Sequence, residues 1–130
     1  MSTEKPLFSR GWSPAILWML VIFTLSSMPG SAFPKIRVFG ISGIAHTFEY
    51  WLLGVLLLRS FLHSFPEKTI FMLALLAAGT AILFGISDEF HQLFVPGRCS
   101  ELGDVIVDAI AAILGILLYV RKTAFSPNKK

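Results

Sequence analysis

Four apolar blocks, separated by short polar stretches, run through this chain of 130 residues. Each block is close to the length of about 17 to 25 residues with which a helix crosses a hydrocarbon core. The pattern predicts transmembrane helices over residues 14–28, 38–58, 69–94 and 102–120. Ser13 is predicted to cap the first helix, and Pro14 is predicted to be its first residue. We therefore expect an all-α bundle of four transmembrane helices, a single domain of residues 1–130.

The composition agrees with an integral membrane protein. Hydrophobic residues make up 55% of the chain, and the mean hydropathy is +0.73, whereas a soluble domain needs long polar faces. The net charge of +3 does not indicate nucleic acid, because the basic residues are scattered at the ends of the apolar blocks. We expect no nucleic-acid partner. Cys99 is the only cysteine, so an internal disulfide is excluded.

The distribution of basic residues predicts the orientation. Of the 11 lysines and arginines, only Lys35, Arg37 and Arg98 fall in the connections after the first and third spans. The positive-inside rule therefore places both termini in the cytoplasm and these two connections outside. The segment Pro-Gly-Ser-Ala that ends at Ala32 also leaves open the alternative that residues 1–32 are a cleaved signal peptide.

Ionisable side chains interrupt three of the predicted spans, at a cost of roughly 2.5 to 3.5 kcal/mol each near the bilayer centre. Residues three or four apart share one face of a helix. Such groups are His46 with Glu49, Asp88 with His91 and Gln92, and Asp104 with Asp108. Because lipid cannot satisfy them, we expect the three polar stripes to face one another across a cavity in the outer half of the membrane.

The predicted cavity holds more carboxylates than cations. The carboxylates are Glu49, Asp88, Glu89, Asp104 and Asp108, and the cations are Arg98 and Arg37 from the connections. So many anions cannot all stay ionised and unpaired in a low dielectric. Some are protonated for acid–base catalysis, or a divalent metal lies among them, or some face headgroup water. Carboxylate and imidazole ligands suit zinc, manganese or iron, and the candidate ligands are Glu49, Asp88 and His91.

Two of the acids also have purely structural interpretations. Asp104 belongs to the first turn of a predicted helix, where a carboxylate stabilises the helix dipole without any chemistry. Glu89 points about 100° away from Asp88 around the helix, and in that direction it meets only the membrane interface.

These motifs resemble those of the VanZ-like family, small bacterial membrane proteins named for a protein associated with low-level teicoplanin resistance. The matching segments are LSSMPG at 25–30, AHTFEY at 45–50 and SDEFHQLFVPGR at 87–98, followed by Asp104 and a helix of small residues. One departure is Asp108, at a position where the family often has asparagine. The resemblance implies a multi-pass protein of the bacterial plasma membrane whose polar motifs form its working site, and a link to glycopeptide resistance, but it does not supply a reaction.

Several functions fit such a site. An enzyme at the outer leaflet would act on a lipid headgroup or a lipid-linked cell-wall intermediate by acid–base chemistry. Its candidate catalytic residues are His46, Glu49, Asp88, His91 and Asp104, and its candidate substrate-binding residues are Arg98, Gln92, Glu89, Asp108 and Tyr50. The alternatives are a non-enzymatic protein that binds lipid or glycopeptide, and an ion-coupled transporter. A homodimer could supply the inward path that a transporter needs.

Overall fold

The computed structural model describes residues 7–32 and 41–126. These residues form four α-helices: α1 Leu7–Ser26, α2 Ile41–Ser64, α3 Ile70–Gln92 and α4 Leu102–Ala124. A short 3-10 turn, Gly30–Ala32, follows α1, and the described ranges contain no strand. The all-α class is therefore confirmed. The predicted connection with Lys35 and Arg37 lies outside the described residues, as do residues 1–6 and the last four residues.

α1, α2 and α4 each extend past one end of the apolar block that predicted them, whereas α3 is slightly shorter than its block of residues 69–94. The predicted start at Pro14, with Ser13 as its cap, is wrong, because α1 begins at Leu7 and Pro14 lies inside it. α2 and α4 continue to Ser64 and Ala124, past their predicted ends. Hydropathy marks the stretch that suits hydrocarbon, whereas backbone hydrogen bonding continues into the polar flanks. Long basic side chains at such helix ends can keep their charged groups in water.

α2 is the central helix of the bundle. It packs most extensively against α4 and also contacts α1 and α3. α3 likewise contacts the other three helices, whereas α1 and α4 do not contact each other within the described residues. The crossing of α2 with α4 depends on two glycines. A Cβ added to Gly54 would overlap the backbone of Ala112, and one added to Gly115 would overlap the backbone carbonyl of Trp51. Small residues at a crossing let two helix backbones approach closely.

The surface of the bundle is apolar and one end of its interior is polar. Leu17, Phe71 and Leu117 are 65%, 72% and 57% exposed, whereas Asp88 and Asp108 are each 2% exposed. A soluble monomer rarely exposes so continuous an apolar surface. This distribution suits a protein whose outer surface contacts lipid.

Two helices are long and apolar enough to cross a membrane by themselves, α3 and α4. Gly11–Ser26 of α1 is a shorter apolar helix. α2 does not pass the same test within the described residues; it carries His46 and Glu49 and is covered by three neighbouring helices. The number of spans and the cytoplasmic termini stay predictions.

Candidate functional site

Polar side chains from all four helices meet at one end of the bundle, where α1 and α3 end and α2 and α4 begin. We call this the polar end. Its residues are Ser26 and Ser27 of α1, His46, Glu49 and Tyr50 of α2, Asp88, Glu89, His91 and Gln92 of α3, and Asp104 and Asp108 of α4. The antiparallel order of the helices brings these residues together although they are far apart in sequence. The predicted convergence of three polar stripes corresponds to this cluster.

His46 lies between two carboxyl groups from different helices. Its Nδ1 is 3.9 Å from Oε2 of Glu49 and 3.8 Å from Oδ1 of Asp108. Both distances are beyond hydrogen-bond length, so the three groups are neighbours without being locked together. The side chains of His46 and Glu49 are 23% and 16% exposed, whereas that of Asp108 is 2% exposed. His46 and Glu49 therefore form the accessible side of the site, and Asp108 forms its floor.

Several polar atoms of the polar end are buried without a hydrogen-bond partner. They are Nδ1 of His46, Oη of Tyr50, Oδ1 of Asp88, both carboxyl oxygens of Glu89 and both carboxyl oxygens of Asp108. Leaving such a group unsatisfied costs about 1 to 3 kcal/mol, and more if it is charged. The interpretation that Glu89 meets only the membrane interface is wrong, because its side chain is turned inward and is 4% exposed.

Gln92 connects α3 to α1 at the polar end. Its Nε2 donates a hydrogen bond of 2.7 Å to Oγ of Ser26 and a longer one of 3.4 Å to Oδ2 of Asp88. All three side chains are buried. Asp88 is thus held by one oxygen on its own helix, while its other oxygen has no partner.

His91 faces α1. Its Nε2 is 3.0 Å from Oγ of Ser27, and its ring stacks on Phe23 with the ring centroids 4.6 Å apart. Although His91 is three residues after Asp88, it is half-buried on the side of α1, while Asp88 is fully buried. The predicted catalytic role of His91 stays a prediction, and in this arrangement the side chain helps to dock α1.

Arg98 also contacts α1. Its Nε donates to the backbone carbonyl of Met28 at 3.1 Å, and its Nη2 donates to that of Leu25 at 2.9 Å. A cation beside the last carbonyls of a helix satisfies free acceptors and favours the negative end of the helix dipole. Arg98 is also close enough to Glu49 for their charges to interact. The predicted substrate-binding residue therefore has a structural role as well.

The two connections of the polar end that contain Gly30 and Gly97 are joined through their backbones. The amide of Gly30 donates to the carbonyl of Pro96 at 3.0 Å. Gly97 has φ of +75°, a conformation that other residues rarely adopt, and it lies directly against Gly30. The sequence motifs at 25–30 and 87–98 are thus in direct contact.

Asp104 lies half-buried in the first turn of α4. In the described parts of the chain, no three His, Cys, Asp or Glu side chains are grouped so that they could hold a metal ion. The candidate metal set of Glu49, Asp88 and His91 is therefore not brought together as such a group.

Ser26, Ser27 and Gly54 were missed by sequence reasoning. Gly54 lies inside an apolar block without another small residue at a packing spacing, so it gave no signal of a helix crossing. Ser26 and Ser27 did carry a signal in the sequence, because they belong to the segment at 25–30 that resembles the family motif.

The fold and the site together define a small helical membrane protein with a polar, carboxylate-rich site at one end of its bundle. The model of the VanZ/LLP1 family matches residues 12–124, and the chain belongs to this family. No curated protein and no solved structure shows a significant match to the chain.

Proposed function

We propose that this VanZ-like protein works in the cell envelope of a bacterium and contributes to glycopeptide resistance of the teicoplanin type. Its polar end would face outward from the plasma membrane and act by acid–base chemistry on a lipid headgroup or a lipid-linked cell-wall precursor. The observation that carries the proposal is the position of His46 between Glu49 and Asp108, at 3.9 and 3.8 Å.

The roles follow from burial and distance. The imidazole of His46 can accept a proton at one nitrogen and donate one at the other, and it lies on the accessible side of the site. Glu49 and Asp108 stabilise the imidazolium that forms when His46 accepts a proton. Asp88 and Glu89 offer further buried acceptors in the same cluster. Substrate contacts by Gln92 and Arg98 require these residues to exchange their partners on α1.

The outward orientation is supported by the positions of the basic residues in the sequence. The link to resistance is supported by membership of the VanZ/LLP1 family. A non-enzymatic protein that binds the same headgroups would use the same cluster, so the decisive difference is chemical turnover.

The test compares envelope lipids and lipid-linked precursors by mass spectrometry in cells that express the wild type, Asp108→Asn or Glu67→Gln. Glu67 lies exposed in the connection between α2 and α3 and is the control for a lost carboxylate. We expect the same altered headgroup or precursor with the wild type and with the control, and its loss in Asp108→Asn. An alteration that persists in Asp108→Asn contradicts the acid–base role. Resistance without any altered lipid would instead identify a binding protein.

A further inference from the structure

We propose that the polar end binds a primary ammonium group, which the buried carboxylates and the hydroxyl of Tyr50 receive together. This inference deepens the proposed function by naming the ligand group of the same site, and it rests on that proposal in taking the polar end as the working site. The ammonium could belong to an aminated lipid headgroup or to a soluble amine, and both present the same three donors.

Several buried carboxyl oxygens at the polar end lack a hydrogen-bond partner. Oxygens without a hydrogen-bond partner belong to Asp88, Glu89 and Asp108, each at most 4% exposed. The described guanidinium at this end, that of Arg98, donates to the carbonyl of Leu25 in the last turn of α1 and to that of Met28 just after the helix. The cluster thus offers buried carboxyl acceptors, and a cationic donor is the group that would satisfy them in their ionised form.

Tyr50 is an uncharged side chain at the polar end that also lacks a hydrogen-bond partner. It is 0% exposed, and its Oη has no hydrogen-bond partner. The charges that act on it are those of Asp88, Asp108, Glu49 and Glu89. Buried tyrosine hydroxyls usually find a hydrogen-bond partner. A donor placed among the carboxylates would also supply the missing partner of Tyr50.

A metal ion and an ammonium group differ in how closely their acceptors must be grouped. A metal ion needs its ligands within about 2.0 to 2.6 Å, and in the described residues no three His, Cys, Asp or Glu side chains form such a group. An ammonium nitrogen has three donors and reaches acceptors at about 2.8 Å. An ammonium therefore needs its acceptors less tightly grouped than a metal ion does.

The accessible side of the site gives the ligand a way in. The side chains of His46 and Glu49 keep 23% and 16% of their surface exposed, and Asp108 lies behind them at 2%. Glu49 would meet the ammonium first, and Asp108 would receive it at the floor. Loss of either carboxylate should weaken binding, whereas loss of the exposed carboxylate of Glu67 should not.

The test measures thermal unfolding of the full-length protein in lipid nanodiscs. One arm adds ethanolamine or choline to discs of phosphatidylglycerol. The other arm compares phosphatidylethanolamine with phosphatidylcholine mixed into the discs. Choline and phosphatidylcholine carry the same charge without an N–H donor, so they are the matched controls. Variants are Asp108→Asn, Glu49→Gln and, as a control, Glu67→Gln, each checked for wild-type helix content by circular dichroism.

We expect the primary amine to raise the unfolding temperature where the quaternary amine does not. Titration should show binding weakened about tenfold or more in Glu49→Gln and Asp108→Asn, the loss that one charge-assisted hydrogen bond represents. Glu67→Gln should bind as the wild type does. Selectivity in the ethanolamine arm alone identifies a soluble amine, and selectivity in the phosphatidylethanolamine arm alone identifies a lipid headgroup.

Equal responses to primary and quaternary amines in both arms would overturn the inference. It would also be overturned by selective binding that survives in both Glu49→Gln and Asp108→Asn, since the amine then binds elsewhere. Because the readout is binding, its failure is separate from that of the proposed function. If the altered headgroup or precursor is still lost in cells that express Asp108→Asn, the proposed acid–base chemistry stands even though the site binds no ammonium.

Discussion

Gly115→Ala should destabilise the bundle by forcing α2 and α4 apart. The added Cβ would overlap the backbone carbonyl of Trp51, which cannot swing away as the end of a flexible side chain can. Overpacking of this kind costs typically about 1 to 3 kcal/mol. Replacing glycine by alanine inside a helix also stabilises it by roughly 0.5 to 1 kcal/mol. The net effect on the free energy of unfolding is therefore a loss of up to about 2.5 kcal/mol.

The matched control is Gly79→Ala in the middle of α3, where an added Cβ meets nothing within 4 Å. This variant gains the same helix propensity without the overlap. The stabilisation gained by replacing glycine with alanine inside a helix is the same in both variants. Their free energies of unfolding should therefore differ by the overpacking cost alone, about 1 to 3 kcal/mol. Unfolding by sodium dodecyl sulfate in mixed micelles, followed by circular dichroism, measures this difference.

The same crossing positions the site, which gives the experiment a second readout. Asp108 lies about two turns before Gly115 on α4 and faces His46 of α2. A wider crossing should therefore weaken function as well as stability. Equal stability of the Gly115→Ala and Gly79→Ala proteins would refute the close approach of the two backbones, and with it the reason that His46 and Asp108 meet.

Three further predictions concern the contacts around the polar end. Gln92→Leu should lower the free energy of unfolding by about 1 to 3 kcal/mol, because the Ser26 hydroxyl and one oxygen of Asp88 lose their partner; a change below 0.5 kcal/mol would contradict this buried network. Arg98→Ala should speed amide hydrogen exchange at residues 27–31, because the last carbonyls of α1 lose their donor; unchanged exchange would show that the end of α1 is held by other contacts. Cys99 is exposed beside Arg98, so a membrane-impermeant maleimide should label it in intact cells, and labelling only after lysis would reverse the predicted orientation.

Much of the fold could be predicted from the sequence, because a helix that contacts lipid must be apolar over a known length. Four blocks of suitable length became four helices. The ends were less predictable, since backbone hydrogen bonds do not stop where hydrocarbon does. Pro14 was interpreted as a helix start, yet it lies inside α1. Membrane helices tolerate proline because neighbouring groups can satisfy the carbonyl that it leaves free.

Helical spacing predicted which polar residues share a helix, and less well where each points. His46 and Glu49 do lie side by side, and Asp88 does contact Gln92. His91 has the spacing of a partner for Asp88, yet it faces α1, because Phe23 and Ser27 offer it a ring and a hydroxyl there. Which neighbour a side chain meets depends on helix rotation, and rotation is decided by packing across the bundle.

Arg98 shows the same limit. Its position beside acidic residues made a substrate anion the obvious partner. The structure instead gives it two carbonyls at the end of α1, a contact between residues 70 or more apart in sequence. Backbone acceptors leave no mark in the amino-acid pattern, so a contact of this kind becomes visible only when the helices are placed together.

The central claim is that the carboxylates around His46 at the polar end perform the protein's function. The most direct measurement is the teicoplanin susceptibility of a host that expresses the wild type, Glu49→Gln or Glu67→Gln at equal levels in the membrane. Both variants lose one carboxylate, but Glu49 lies 3.9 Å from His46 while Glu67 is exposed in a connection between helices. We predict that Glu49→Gln loses the resistance of the wild type and that Glu67→Gln keeps it. Full resistance in the Glu49→Gln protein would contradict the account.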